Sequence, residues 1–488
     1  MAPRPTTLGR RLRTPIMLVA ALSLVAAACG DDDDDAGDDD ATPVETAGAD
    51  TTAAADDGDT TEPADDGGDT TEPTDDGGGG GAGILQRDAD GNSTCGLGTG
   101  EPASGEPIKI GAINTNQPGV DFTWISKTAA GYFECVNDNG GINGRPIEYI
   151  REEEQTDPQQ IASLASKLIE TDQVVGLVGS TSLIECAVNR DYYAEQDYYL
   201  IVAGVAQDCF TSPNFSAVNM GPYYSSLGGA QAAVRAGAEG TLVVASPNQP
   251  GFDLINSGVV EFAEENGMTG VSILEEVPIN DPAGLAQRLV QEAGEGGGVV
   301  LDFTGPTVLP LLQAIEQQGL TDTVVWASST PPNDPSVAAA LGPEWNDKFL
   351  INAEFQVLDA DTPDATHLRE VLEEYVSDVP LSSFAQMGYL AARIATEALL
   401  GIDGDITKDS VNDAFRAITN FESDIFCAPW YYESGTGFNV SNNIDLTVVP
   451  RDGVMVQVED CFPIAELPGN QLAEIRAAEQ AGGLNTGG

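Results

Sequence analysis

From residue 108 onward, short apolar runs alternate with longer amphipathic stretches. The runs 108–113 (IKIGAI), 147–150 (IEYI), 174–179 (VVGLVG) and 198–204 (YYLIVAG) are rich in β-branched residues and bounded by turn formers. Continuous apolar runs of this length predict strands buried on both faces of a parallel sheet. Between them, 125–139 and 158–170 carry helical spacing, shown by Ile161, Leu164, Ala165 and Leu168. Asp157 followed by Pro158 reads as an N-cap with proline in the first turn. The alternation then restarts, with strands predicted over 241–246, 271–277, 299–304 and 323–328 and helices over 252–266, 283–293 and 307–318. After 349–355 come a long helix, 382–400, and an irregular tail rich in Tyr, Gly and Asn. Repeated βαβ units of this kind predict an α/β fold of two doubly wound, parallel-sheet lobes with a cleft between them.

The first 28 residues have a different pattern. Arg4, Arg10, Arg11 and Arg13 precede an apolar run, 16–28, that is too short to span a bilayer. Small residues Ala26, Ala27 and Ala28 lead to Cys29. This order resembles a lipoprotein signal, in which the cysteine thiol receives a lipid and becomes the new N-terminus; an ordinary secretory signal is the alternative. Residues 29–83 read as an acidic tether. Their tandem DDGDTTEPA and DDGGDTTEPT, from Asp56 to Thr74, and the glycine run that follows bury too little apolar surface to offset chain entropy.

The 488 residues hold 78 Asp and Glu against 20 Lys and Arg, a formal charge of −58. Nucleic acid is held chiefly by Lys and Arg, so this balance excludes it as a partner and argues against a basic patch on anionic lipid. Setting Cys29 aside leaves six cysteines in a chain destined for an oxidising compartment. Six admit 15 connectivities. The pairing expected is Cys186 with Cys209, Cys427 with Cys461, and Cys95 with Cys135. No cysteine spacing suits a zinc knuckle, and no metal or cofactor is expected.

Four stretches carry a family resemblance: AGYFECVNDNGGINGRPIEYIREEEQTDP (130–158), KLIETDQVVGLVGSTS (167–182), TGPTVLPLLQAIEQQGL (304–320) and SSFAQMGYLAARIATEALL (382–400). In this order they resemble the branched-chain amino acid (Leu/Ile/Val) substrate-binding proteins of ABC transporters, within the type I periplasmic binding proteins, over 108–462. The resemblance implies a clamshell whose lobes are joined by a three-strand hinge near Met220, Asn352 and Ile425. Lobe one would be 108–220 with 353–424, lobe two 221–352 with 425–462, and 463–488 a C-terminal tail. It further implies a monomer that captures a small solute between the lobes and hands it to permease subunits, with the membrane reached through the lipid anchor alone. A module that reports its ligand to a membrane receptor is the alternative.

The resemblance places ligand contacts on Ser180, Thr181 and Ser182 after the third strand, and on Gly204 and Ala206 after the fourth. Physical reasoning agrees for the first group, because small hydroxyl residues before a helix present donors at its positive end. Simple capping by Ser180 or Ser182 is the competing role. The family's usual hydroxyl is missing at Ala206, and Pro250 and Thr304 stand where tyrosines are common. Ser329 falls where an acidic residue pairs with the ligand's ammonium. Burying an ammonium without a counter-charge is costly, which points to an amide, urea-like or carboxylate solute unless Asp302 or Asp334 substitutes. Phe122, Trp124 and Phe384 are candidate lid or floor residues, Phe384 equally a core residue; Trp326 and Trp345 read as packing.

An enzyme reading has little support. The single histidine, His367, lies in a charged helical stretch, THLREVLEEY, expected to face solvent, and no nucleophile elbow, phosphate-binding loop or zinc-protease motif occurs.

Overall fold

The computed structural model describes residues 86–117, 120–249, 251–432, 442 and 444–486. Cys29, the signal and tether stretches, and Pro250 lie outside them.

Two parallel-rich sheets organise the chain. The first contains β1 (Ile108–Gln117), β2 (Val120–Asp121), β3 (Ile147–Glu154), β4 (Gly176–Ser180), β5 (Leu200–Val202) and β6 (Phe215–Ala217). β3 and β4 flank β1 in parallel, β5 and β6 continue from β4, and β2 folds back antiparallel on the end of β1. The second contains β7 (Thr241–Pro247), β8 (Thr269–Glu275), β9 (Gly298–Leu301), β10 (Val325–Ser328), β11 (Phe349–Ala353), β12 (Ile444–Arg451) and β13 (Val454–Pro463), in the order β13-β12-β11-β10-β9-β7-β8. Its first five strands are parallel and its last two antiparallel. This is a doubly wound α/β architecture made twice.

Local chemistry explains where the helices begin. Asp157 accepts from the amides of Gln159 and Gln160, with Pro158 opening the helix Pro158–Ser166. The same Asp–Pro device starts Pro282–Ala293 and Pro335–Ala340, each aspartate satisfying an otherwise orphaned amide. The predicted helix over 158–170 stops at Ser166 and continues as a wider turn, Lys167–Asp172.

The helices Thr123–Asp138 and Ser383–Leu400 cover the first sheet and pack closely, because Gly388 leaves no side chain between them: a Cβ there would lie 2.1 Å from the Ile125 carbonyl oxygen. A second apolar cluster is continuous from Leu177 and Leu200 under the first sheet to Leu242 and Val300 in the second, by way of Phe210, Met220 and Tyr223. Trp326 and Trp345 are fully buried against each other in the second sheet's own core. The chain passes between sheets after β6, after β11 and again before β12.

Two sequence expectations are corrected. His367 is buried rather than solvent-facing: its charged helix, Pro363–Tyr375, turns Ala365, Leu368, Val371 and Leu372 inward, and His367 shares that side. Its Nδ1 lies 2.8 Å from the Tyr389 hydroxyl and its Nε2 3.2 Å from Cys95 Sγ, and burial pushes its pKa down to about 4, so the ring is neutral. The irregular tail contains the β12–β13 hairpin, whose two-residue Asp452–Gly453 turn has positive φ at both positions, the geometry that matches strand twist. Within 463–488 lies a further helix, Leu472–Ala481, with Leu472 buried.

Residues 86–105 form an unanticipated appendage to the first sheet's core. The Gln86 side chain donates to the Arg393 carbonyl (2.9 Å), Arg393 Nη2 returns a bond to the Gln86 carbonyl (3.1 Å), and Arg87 and Arg393 both reach the buried Asp364 at 3.1 Å. The described cysteines form three disulfides: Cys95–Cys135, Cys186–Cys209 and Cys427–Cys461.

Candidate functional site

In open α/β sheets ligands lie beyond the carboxyl ends of the strands, so those ends are where side chains with unspent hydrogen-bonding capacity are informative. At the end of β4, Ser180 is already engaged: its hydroxyl accepts from the Ile113 amide at 3.1 Å. Ser182 is engaged more completely. Its hydroxyl donates to Glu154 Oε1 (2.8 Å) and accepts from the amides of Ile184 (3.3 Å) and Glu185 (3.0 Å), capping the helix Glu185–Glu195.

Thr181 between them differs. Its backbone exchanges bonds with β1, but its buried hydroxyl has no partner among the described residues. Beside it on β1 lies Asn114, bridged to Thr181 in parallel register. Asn114 Nδ2 donates to the Gly179 carbonyl at 3.2 Å, which fixes the amide's orientation and leaves Oδ1 buried and unpartnered. Thr181 and Asn114 are thus neighbours with open valences.

Two buried carboxylates support this corner. Glu154, the last residue of β3, accepts from the hydroxyls of Thr115 and Ser182 and the amide of Thr156. Glu185 accepts from the Tyr193 hydroxyl at 2.6 Å; burial pushes its pKa up to about 8, the Tyr193 and Ser180 hydroxyls draw it down, and nearby Glu154 raises it further. Beside them an open cavity of about 470 Å³ lies at the ends of β1 and β3, lined by Asn116, Gln117, Asp121, Glu153, Gln155 and Gln160.

After β5, Gly204 is clamped. Its N–H donates to Asn219 Oδ1 (2.8 Å) and its carbonyl accepts from Asn219 Nδ2 (2.9 Å). The Phe210 ring lies so close that a Cβ on Gly204 would sit 2.6 Å from it. Ala206 is half-buried and opens the short turn Gln207–Phe210, which the Cys186–Cys209 bond ties to the capped helix.

On the second sheet, Ser329 donates to Asp302 Oδ1 (2.6 Å) and Ser226 to Asp302 Oδ2 (2.9 Å). Burial pushes Asp302 up to about 6 against the pull of those hydroxyls. The position aligned with an acid is therefore a serine bonded to one. Asp334 caps the helix that follows it, and neighbouring Asn333 has a buried, unpartnered Oδ1. Thr304, half-buried at the start of the helix Gly305–Gln317, donates to Thr307 Oγ1 at 2.9 Å. Phe122 and Phe384 meet edge to face at 5.8 Å on the first sheet's core, with Trp124 half-buried against the same cluster.

Sequence reasoning missed Asn114, Glu154, Glu185 and Asn219. Position alone signalled the first two, since each stands at or near the carboxyl end of a parallel strand.

Residues 107–453 match a family whose description is periplasmic binding protein. Similar solved structures include a fatty acid ABC transporter substrate-binding protein from Thermomonospora curvata (19% identity, TM-score 0.63, covering 78% of this chain and 97% of that one). Others are a branched chain amino acid ABC transporter from Thermus thermophilus with bound valine (15%, 0.64, 77% and 100%) and an R. palustris solute binding protein in complex with benzoate (17%, 0.60, 74% and 98%). At these identities the likeness is one of fold. No curated protein sequence matches the chain.

Proposed function

We propose that this chain, which belongs to the periplasmic binding protein family, captures a small polar solute between its two lobes and delivers it to an ABC importer, catalysing no reaction itself. The observation that carries this reading is the pair Thr181 and Asn114, whose buried open valences stand at the carboxyl ends of adjacent strands, where a bound solute could complete them. The lobes are taken as 108–220 with 353–424 and 221–352 with 425–462, hinged at the three passages between sheets. A solute touching both lobes favours the closed arrangement, because only there do all its contacts coexist. Branched-chain amino acids, amides, urea-like solutes and small carboxylates form the first screen. Protein stripped of ligand by unfolding and refolding should melt higher with its solute. Absence of a shift with every solute of this screen and with simple amines and amidines, at millimolar concentration, would tell against the reading.

The protein acts outside the cell membrane as a monomer held by a lipid on Cys29, with 29–83 as its tether. Mass spectrometry of the membrane fraction should find a lipidated Cys29 as the first residue; an unmodified N-terminus would refute the anchor. Deleting 30–83 should leave ligand affinity unchanged. Reporting to a receptor is the second reading, favoured if the neighbouring genes encode no permease.

A further inference from the structure

We propose that the cleft selects a positively charged solute, one bearing an amine or amidine, over carboxylate anions. This rests on the reading of the cleft as the solute site. The carboxyl ends of ten parallel strands, five in each sheet, and the loops that follow them cover 114–117, 153–157, 179–185, 203–208, 217–221, 247–249, 275–282, 302–306, 329–335 and 354–357. Not one of these loops contains a Lys or Arg. They bury five carboxylates instead: Glu154, Glu185, Asp302, Asp334 and Glu354. From flanking helices Arg190 pairs with Asp208 at 3.0 Å and Arg288 with Glu275 at 3.9 Å, while Arg369 is held by the carbonyls of Leu358 and Ala360 just beyond the last segment. Carboxyls at strand ends without a basic residue favour a cation, whose approach draws off their protons and keeps them charged.

A second observation, independent of charge, points to the same chemistry. Asn114 and Asn333 each hold a buried side-chain carbonyl oxygen with no donor among the described residues, and in Asn114 the donation of Nδ2 to Gly179 rules out a flipped amide. These oxygens need N–H groups. An ammonium or amidinium offers several donors and no acceptor, whereas a carboxylate would set further acceptors against them at a desolvation cost. At the start of the helix Glu185–Glu195, Ser182 already takes the amides of Ile184 and Glu185.

The test is calorimetry and small-angle scattering on the ligand-stripped mature protein with agmatine, putrescine and L-arginine as cations, L-valine as the zwitterion, and benzoate and decanoate as anions, at low and high salt. A cation from this set should bind most tightly and compact the protein, with affinity falling several-fold as added salt shortens the reach of the carboxylate field. Asp302→Asn and Glu354→Gln, each checked for an intact melting transition, should each weaken that cation by about thirtyfold or more, the scale of losing one charge partner in a desolvated site. Tightest binding by benzoate, decanoate or L-valine, with compaction, would overturn the charge preference and leave the solute-binding reading standing. No binding and no compaction with any probe of either sign would overturn both.

Discussion

The Met220 backbone N–H donates to Glu354 Oε2 across 2.8 Å, joining two of the passages by which the chain moves between its sheets. The pairing of Ala353 with Leu446 sets Glu354 opposite Asp445 at the next position, and both carboxyls are buried. Like charges facing across strands repel, and burial compounds the cost. Burial pushes Glu354 up to about 7, and burial together with Glu354 pushes Asp445 upward as well.

That arrangement fixes a pH dependence. A carboxyl whose folded pKa is raised binds its proton more tightly in the native state, so its contribution is fully present below the unfolded value and lost as pH rises through the folded one. The ligand-free protein should therefore lose stability between about pH 4.5 and 7 through Glu354, by up to about 3 kcal/mol. Glu354→Gln, which still accepts from Met220, should match the parent near pH 4.5 and exceed it at pH 8 in urea unfolding. Parallel curves for the two proteins would show that the Glu354 proton is not involved.

Ser180 and Thr181 should separate fold from function. Ser180→Ala orphans the buried Ile113 amide and should cost about 1–3 kcal/mol of stability. Thr181→Val removes a hydroxyl that bonds to nothing among the described residues, so its unfolding midpoint should hold or rise while affinity for the solute falls at least about fivefold, the value of one buried hydrogen bond. Equal loss of stability in both variants would contradict the assignment of Thr181 to the ligand.

Replacing Cys186 and Cys209 together by serine opens a loop of 23 residues. By chain entropy alone this should cost about 3 kcal/mol. It also frees the turn that presses Phe210 on Gly204, so proteolysis near 204–212 should accelerate, which limited digestion with mass mapping can score.

Gly388→Ala is the steric counterpart. The new Cβ would meet the Ile125 carbonyl, a backbone atom that cannot swing aside. Overpacking of this kind costs about 1–3 kcal/mol or more, and the helices Thr123–Asp138 and Ser383–Leu400 should separate. A crystal structure of the variant with unchanged helix spacing would disprove this.

Much of the fold was legible because apolar runs and Asp–Pro starts are local signals. The runs at 108–113 and 241–246 became β1 and β7, and Asp157 caps the helix it was expected to cap. β6 escaped notice since three residues, Phe215–Ala217, carry no periodicity. The β12–β13 hairpin did have a signal, Asp452–Gly453 between β-branched stretches, that its Tyr- and Asn-rich approach obscured. His367 was misplaced because its charged neighbours outnumber the apolar stripe that buries it. Of the candidate site, the loop at 180–182 could be found from hydroxyl residues ending a strand, but the division of labour within it could not. Which of three adjacent hydroxyls stays free depends on Glu154 and the Ile113 amide, which approach from other strands.

The Cys95–Cys135 bond has a mechanical consequence. Tension applied at residue 86 first meets the bonds between Gln86 and Arg393 and the ion pairs of Arg87. If these yield, only the few residues up to Cys95 can unspool, and the pull then passes covalently into the last turn of the helix Thr123–Asp138. β1 is thereby bypassed: its hydrogen-bonded edge cannot be peeled from its own N-terminus, and stretching from that side leaves the strand that presents Asn114 undisturbed.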